Sequence, residues 1–262
     1  MAWIRVVVAI ASVLLLTLFL APFQLFGLWL NLPLCRSLPV LWHRATCFIL
    51  GIKVHCHGEM ADSRPLMLVA NHVSWLDIVA LGSIGELCFV AKSDMRSWPF
   101  FGWLARLQRT IFVEREDRRK AGQQVSAISE RLASGEVVVL FPEGTTSDGN
   151  YLLGFKSSLF GAATAALPHS PTHKVHVQPV ALAYTRVHGM PMGRYHRPIA
   201  SWPGDIALGP HLLGVLKEGA IDVDVTFGAA IEVNETSNRK RISRDIENSV
   251  RTMLNEKLRG RV

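Results

Sequence analysis

The chain has 262 residues, 49% of them hydrophobic and 19% charged, with a formal net charge of +7. That is enough core for one large α/β domain plus an appendage, and it excludes a disordered chain or a small disulfide-stapled scaffold. The basic excess leaves nucleic acid, an anionic membrane surface or an acidic protein as partners; no recognisable nucleic-acid module occurs, and the N-terminus favours the membrane.

Val6 to Leu30 carries only Ser12, Thr17 and Gln24 as polar side chains. At about 1.5 Å per residue such a run can cross a hydrocarbon core of about 30 Å. It is longer than the apolar region of a signal peptide, and Trp29 and Leu30 stand where a cleavage site belongs, so a retained anchor is expected. Arg5 before the run and Arg36, Arg44 and Lys53 after it place the downstream side in the cytoplasm. Pro22, Gly27, Asn31 and Pro33 offer an alternative, a re-entrant hairpin. Leu38 to Ile52 reads equally as an interfacial helix or as a core helix. The expected division is therefore a membrane anchor and interfacial helix over 1–52 and a catalytic domain over 53–262.

Val54 to His57 is a predicted strand. His55 and His57 share one face of it without a third ligand group, so no metal is expected. The four cysteines show no C-x-x-C spacing and read as reduced thiols. Leu66 to Ala70 is a buried strand, followed by Asn71-His72-Val73-Ser74-Trp75-Leu76-Asp77 and a helical apolar pattern. A histidine at a strand exit lies where an α/β sheet presents reactive groups. With Asp77 in the first helical turn, its carboxylate can fold back onto one imidazole nitrogen, leaving the other to accept a proton. A second reading stands beside it: Ser74-x-x-Asp77 is also a capping box.

Leu87 to Ala91 is a strand. Trp98 to Leu107 is aromatic-rich and reads either as a core helix or as an acyl-chain wall or membrane contact. Thr110 to Val113 is a short strand leading into the charged run Glu114 to Lys120. Ala121, Val125, Ile128 and Leu132 then mark an amphipathic helix that stops at Gly135. Val137 to Phe141 is expected to be central and parallel. It empties into Pro142-Glu143-Gly144-Thr145-Thr146-Ser147-Asp148-Gly149, a tight loop suited to a polar head group, or an ordinary turn. A helix over Phe155 to Leu167 and strands over Val177 to Ala183 and Ile221 to Phe227 follow. Val187 to Gly219 lacks periodicity and is expected to cover the sheet edge or shape a substrate entrance. A terminal amphipathic helix carries Ile242, Ile246, Met253, Leu254 and Leu258.

The two strand-exit loops together resemble the lysophospholipid, or glycerolipid, acyltransferase family. Its N-H-x-S-x-x-D motif is matched by Asn71, His72, Ser74 and Asp77, and its F-P-E-G-T-R-S motif by Phe141 to Thr145 and Ser147. G-x-x-F-I-x-R is matched in part by Phe112, Val113 and Arg115, and a V-x-P-V-A strand by Val177, Pro179, Val180 and Ala181. Arg109 replaces the glycine of one motif and Thr146 the arginine of another, and the F-K-x-G that follows in the family reads Phe155-Lys156-Ser157-Ser158.

The resemblance implies a mixed, mostly parallel sheet flanked by helices, with a membrane-associated N-terminal segment. It implies His72 as general base, oriented by Asp77, and a head-group site of Arg115, Glu143, Gly144, Thr145 and Lys156. For Arg115 the alternative is a solvated charge at a helix start, and for Glu143 a carboxylate that holds its own loop. The loop Glu143 to Gly149, with Ala183 to Arg186 and Met192 to Arg194, is similar to a bacterial branch that acylates the hydroxyl of lyso-ornithine lipid. The expected reaction is transfer from an acyl thioester, on acyl carrier protein in preference to coenzyme A, with no bound cofactor. The expected location is the bacterial inner membrane, with the catalytic domain facing the cytoplasm. Arg118, Arg119 and Lys120 would meet the acidic carrier protein or form a plain solvated face. The alternatives are 1-acyl-glycerol-3-phosphate as acceptor, a non-catalytic lipid-binding module, and a thioesterase or lipase. Without a G-x-S-x-G elbow, no acyl-enzyme serine is expected.

Overall fold

The computed structural model describes residues 1–114, 121–170, 172–204 and 206–260, with the backbone alone for 121–124. Its centre is a sheet of nine strands. The strands are β1 (Ile52–His57), β2 (Leu66–Ala70), β3 (Leu87–Lys92), β4 (Ile111–Val113), β5 (Val137–Leu140), β6 (Val175–Val187), β7 (Met190–Pro191), β8 (Ile221–Phe227) and β9 (Ile231–Val233). The order is β1-β8-β6-β2-β5-β3-β4, with β7 and β9 also paired to β6. From β6 to β4 every neighbour is parallel; β8 runs antiparallel to β6 and parallel to β1. The mixed, mostly parallel sheet expected from the sequence is thus present, and β5 lies between β2 and β3 within its parallel part.

Parallel strands need crossovers, which put helices on both faces and make the strands apolar on both sides. Along β2, Leu66, Leu68 and Ala70 face a core shared with α1 (Ala2–Trp29), α2 (Leu34–Leu50), α3 (Leu76–Gly82) and α7 (Leu208–Glu218). Met67 and Val69 face a second core built with α5 (Ala121–Ala133), α6 (Gly161–Ala166) and α8 (Arg239–Leu258). A short α4 (Phe101–Leu107) follows β3. β6 runs well past its expected end at Ala183, and α7 is a helix where none was expected. The expected helix over Phe155 to Leu167 is reduced to α6 between two short 3₁₀ turns, so Lys156 precedes the helical residues.

α1 is long and apolar enough to cross a membrane by length and composition. One side of it is docked. Arg5 donates to Glu218 O and Leu50 O, Thr17 Oγ1 accepts from Trp42 Nε1, and Gln24 Nε2 donates to Cys35 O and Leu107 O. The other side exposes Val7, Leu15, Leu18, Phe19, Phe23 and Phe26. Pro22 stays inside the helix, and the chain reverses at Leu30 to Pro33, so α2 packs back against α1. α2 buries Cys35, His43, Thr46, Cys47 and Leu50, the face that meets α3 and β1, while Leu41 and Phe48 point outward. One side of this helix is thus core, the second of its two readings, and the other side is exposed.

Candidate active site

β2 and β5 pair in register from Leu66↔Val137 to Val69↔Leu140. Their two exit loops therefore leave the sheet side by side, with His72 three residues past Val69 and Glu143 three past Leu140. The His72 N–H donates to Glu143 Oε1 at 2.6 Å, and the Ser147 N–H donates to His72 O at 2.9 Å. The imidazole stacks on Phe141, with ring centroids 4.2 Å apart. On the other flank Asn71 continues the pairing of β2 with β6 through its side chain. Its Nδ2 donates to Leu182 O at 2.9 Å, and its Oδ1 accepts from Leu182 N at 2.7 Å.

Asp77 lies in the first turn of α3 and is 0% exposed. Its Oδ2 faces His72 Nδ1 at 2.8 Å and accepts from Val73 N at 2.7 Å and Ser74 N at 3.0 Å. Its Oδ1 accepts from the Tyr184 hydroxyl at 2.7 Å. The two readings of Asp77 are therefore compatible: one carboxylate caps the backbone and holds the imidazole. Burial, and then the Asp77 charge, push the Tyr184 phenol well above its ordinary range, so it stays a donor. An Asp77 carboxylate that accepts at Nδ1 requires the proton there. Nε2 is then the acceptor nitrogen, and it has no hydrogen-bond partner among the described residues; the His72 side chain is 21% exposed. Tyr184 was singled out in the sequence only as part of Ala183 to Arg186, and nothing in its spacing ties it to Asp77.

Glu143 is 3% exposed, and its Oε2 accepts from Leu153 N at 2.9 Å. Both of its oxygens thus hold backbone amides, the second of the two roles open to it in the sequence. Burial pushes its carboxyl up to about 8, against the pull of those two amides. Gly144 has φ +80°, and a Cβ there would meet Lys156 Nζ at 2.5 Å, so the lysine ammonium lies directly over this glycine. Thr145 and Lys156 are exposed. Thr146 turns inward, and its hydroxyl donates to Trp202 O. Trp202 N in turn donates to Val73 O at 2.8 Å, so residues around Trp202 strap both loops together. Arg115, Arg118, Arg119 and Lys120 lie outside the described residues. No cluster of three or more metal-ligating side chains occurs among the described residues.

Beside α3 an apolar cavity of about 340 Å³ opens between α1, α2, α4 and α7. Trp75 and Ile78 line it from the histidine side, and Phe100, Phe101 and Leu104 from the other. The Trp75 indole is fixed by donation to His211 Nδ1 at 3.1 Å.

A carboxylate-held histidine at the exit of a central parallel strand, next to an apolar cavity, is the arrangement of an α/β enzyme that handles an apolar substrate. The chain belongs to the acyltransferase family, whose profile matches residues 52–183. It is 59% identical over 99% of its length to the lyso-ornithine lipid O-acyltransferase of Rhizobium meliloti (strain 1021), covering 89% of that protein. It is 50% identical over 98% of its length to the protein of the same name from Brucella abortus (strain 2308), covering 97% of it. Its fold matches the crystal structure of the 1-acyl-sn-glycerophosphate acyltransferase PlsC from Thermotoga maritima. There the TM-score is 0.66, with 98% of this chain and 97% of that one covered at 21% identity. The protein is an acyltransferase enzyme of lipid metabolism, and its apolar N-terminal helix fits association with a membrane.

Proposed function

We propose that the protein transfers a fatty acyl chain from an acyl thioester to the hydroxyl of lyso-ornithine lipid, forming ornithine lipid. The observation that carries the acceptor is the near-full-length identity to two proteins of that name. His72 Nε2 takes the proton of the acceptor hydroxyl as its oxygen attacks the thioester carbonyl. The tetrahedral intermediate expels the thiolate, which receives that proton from the imidazolium. Asp77 orients the ring and balances the charge it gains.

Lys156, with Gly144 and Thr145 beneath it, holds the carboxylate of the acceptor head group, joined by Arg115. Glu143 fixes the loop that presents them. The cavity lined by Trp75, Phe101 and Leu104 takes an acyl chain. The donor is acyl carrier protein, an acidic partner for the basic segment Arg118 to Lys120. The outward side of α1 enters one leaflet of the bacterial inner membrane from the cytoplasm. Support for this comes from the hydrogen bonds that tie α1 along the domain, since a helix held at Arg5, Thr17 and Gln24 is not free to stand away from it.

The test is acyl transfer by the detergent-solubilised protein from labelled acyl carrier protein. Lyso-ornithine lipid and 1-acyl-glycerol-3-phosphate are offered in parallel, with His72→Ala as control. Product from the ornithine acceptor, absent with His72→Ala, is expected. Product from the phosphate acceptor alone would overturn the assignment of the acceptor, and full turnover by His72→Ala the assignment of the base.

A further inference from the structure

The sheet carries a second polar pocket, of about 340 Å³, on the face opposite Asp77. Strand alternation builds most of it. Ile52 and Val54 of β1 and Ile221, Val223 and Val225 of β8 turn to the α1 side. His55 and His57, and Asp222 and Asp224, therefore turn to the α8 side. Simple alternation along β6 would send Arg186 to the same face as Tyr184. A bulge prevents this: Tyr184 pairs with Val223, but Arg186 pairs with Asp222, leaving Thr185 as the extra residue. Tyr184 thus reaches Asp77, while Thr185 and Arg186 both line the second pocket.

Asp224 organises this pocket. Its Oδ1 faces His57 Nε2 at 2.5 Å, and its Oδ2 accepts from Thr185 Oγ1 at 2.5 Å. Burial opposes its charge, but those two hydrogen bonds and the nearby positive charges prevail and hold its carboxyl below the usual range. Each Asp224 oxygen is thus held by one partner, a histidine or a neutral side chain, and the Lys257 charge acts on the carboxylate without pairing with it. Arg186 and Lys257 line the pocket and make no ion pair among the described residues. Arg197 is 9% exposed; its Nη1 donates to Asn150 Oδ1, and its Nε is buried without a partner. His55 Nε2 is also buried without a hydrogen bond, 3.9 Å from Asp222 Oδ2. Three permanent cations line the pocket with one carboxylate, Asp224; Asp222 turns to the same side from β8 and the Asp148 charge acts on Arg197, yet none of the three cations makes an ion pair among the described residues.

We propose that this pocket binds the phosphate group of a water-soluble molecule, held by Arg186, Arg197 and Lys257 with His57 fixed beside them. Guanidinium forks and an ammonium match phosphate oxygens geometrically and electrostatically. The pocket is separate from the head-group residues Gly144, Thr145 and Lys156, which follow β5, whereas it lies over β6, β8 and β1. A soluble bearer follows from the sheet: the exposed apolar side of α1 belongs to the other face.

Calorimetric titration of the full-length, detergent-solubilised protein with inorganic phosphate tests this, with coenzyme A and short-chain phosphatidylglycerol as parallel titrants. Saturable binding of phosphate or coenzyme A is expected. An Arg186→Ala/Lys257→Ala variant should weaken it by about tenfold or more, since it loses two charge-assisted contacts. Both side chains reach solvent, and an unchanged thermal unfolding curve checks that the variant folds. Lys156→Ala should bind as the wild type does. Undiminished affinity in the double variant, loss of binding in Lys156→Ala, or saturation by phosphatidylglycerol alone would each overturn the proposal, as would the absence of saturation by any titrant.

Discussion

Replacing Tyr184 by Phe removes one oxygen and leaves the ring packed where it is. The lost hydroxyl is one of four donors on Asp77 and the sole one on Oδ1; Oδ2 keeps His72 Nδ1, Val73 N and Ser74 N. A hydrogen bond to a buried charged group contributes about 1.5–3 kcal/mol, and Oδ1 would be left unpaired where Asp77 is 0% exposed. An unfolding entropy of about 2.1 cal/mol/K per residue, over this chain, converts that to a fall in Tm of about 3–5 °C. The rate should suffer less. The oxygen that faces His72 is still pinned by two backbone amides, and removing Tyr184 takes away a competitor for the same negative charge. A fall in kcat of less than about tenfold is expected, under about 1.4 kcal/mol, with KM unchanged. The assays are thermal unfolding in detergent and steady-state acyl transfer on the same preparation. A Tyr184→Phe enzyme that melts like the wild type yet loses more than about a hundredfold in kcat would refute this division of labour. It would make the phenol part of the chemistry rather than of the support.

The other expectations rest on single contacts. Glu143→Gln replaces an acceptor of two backbone amides by a group with one acceptor oxygen, so a loss of about 1–3 kcal/mol is expected in chemical denaturation. The same residue sets a pH dependence. Its folded pKa is raised to about 8 from 4.5, so the folded chain keeps a proton that the unfolded chain has released. The stability it contributes is complete below the lower value and is lost as pH climbs toward the upper one. Unfolding midpoints at pH 5 and pH 8 should therefore differ more for the wild type than for Glu143→Gln, and equal slopes would contradict it. Gly144→Ala puts a Cβ against Lys156 Nζ at φ +80°, and should raise the acceptor KM severalfold by displacing the ammonium while kcat changes little. Gln24→Leu leaves the carbonyls of Cys35 and Leu107 without their donor, and should speed proteolytic cutting at Leu30 to Pro33 in the turn between α1 and α2.

Both catalytic-end loops could be read in the sequence because each is a pure apolar run stopped abruptly by polar, Pro or Gly residues. Strands buried on both faces leave that mark. Leu66 to Ala70 and Ile221 to Phe227 fall where expected. β6 does not end where its apolar run does. Thr185 and Arg186 lie beyond that apolar run, yet they remain in the ladder because β8 extends beside them and a bulge absorbs the extra residue. α7 is concealed by Gly209, Pro210 and Gly214, residues of low helix propensity that tertiary packing of Val215 and Leu216 overrides. Tyr184 could not be assigned to Asp77 because the two lie 107 positions apart and meet only through the pairing of β6 with β2. α1 is apolar on every side, which leaves no periodic sign of the side that docks. The sparse polar residues Arg5, Thr17 and Gln24 turn out to mark it.

In the reaction proposed above, the burial of Asp77 decides what kind of base His72 is. A carboxylate removed from water is costly unless donors replace the solvent, and if His72 supplied the sole donor, proton uptake by the ring would rebuild the whole solvation of its partner. Here three other donors, Val73 N, Ser74 N and Tyr184 Oη, already stabilise the charge before any substrate arrives. Asp77 is therefore held in place by groups other than the ring, so in the proposed reaction His72 works against a partner that does not move. The same donors hang on β6 and on the loop that leads into α3, while Glu143 and Ser147 fix the backbone of His72 from the β5 side. The ring then has little to reorganise when the proton arrives, and placing the cost of orientation in folding rather than in the transition state is what makes such a site fast.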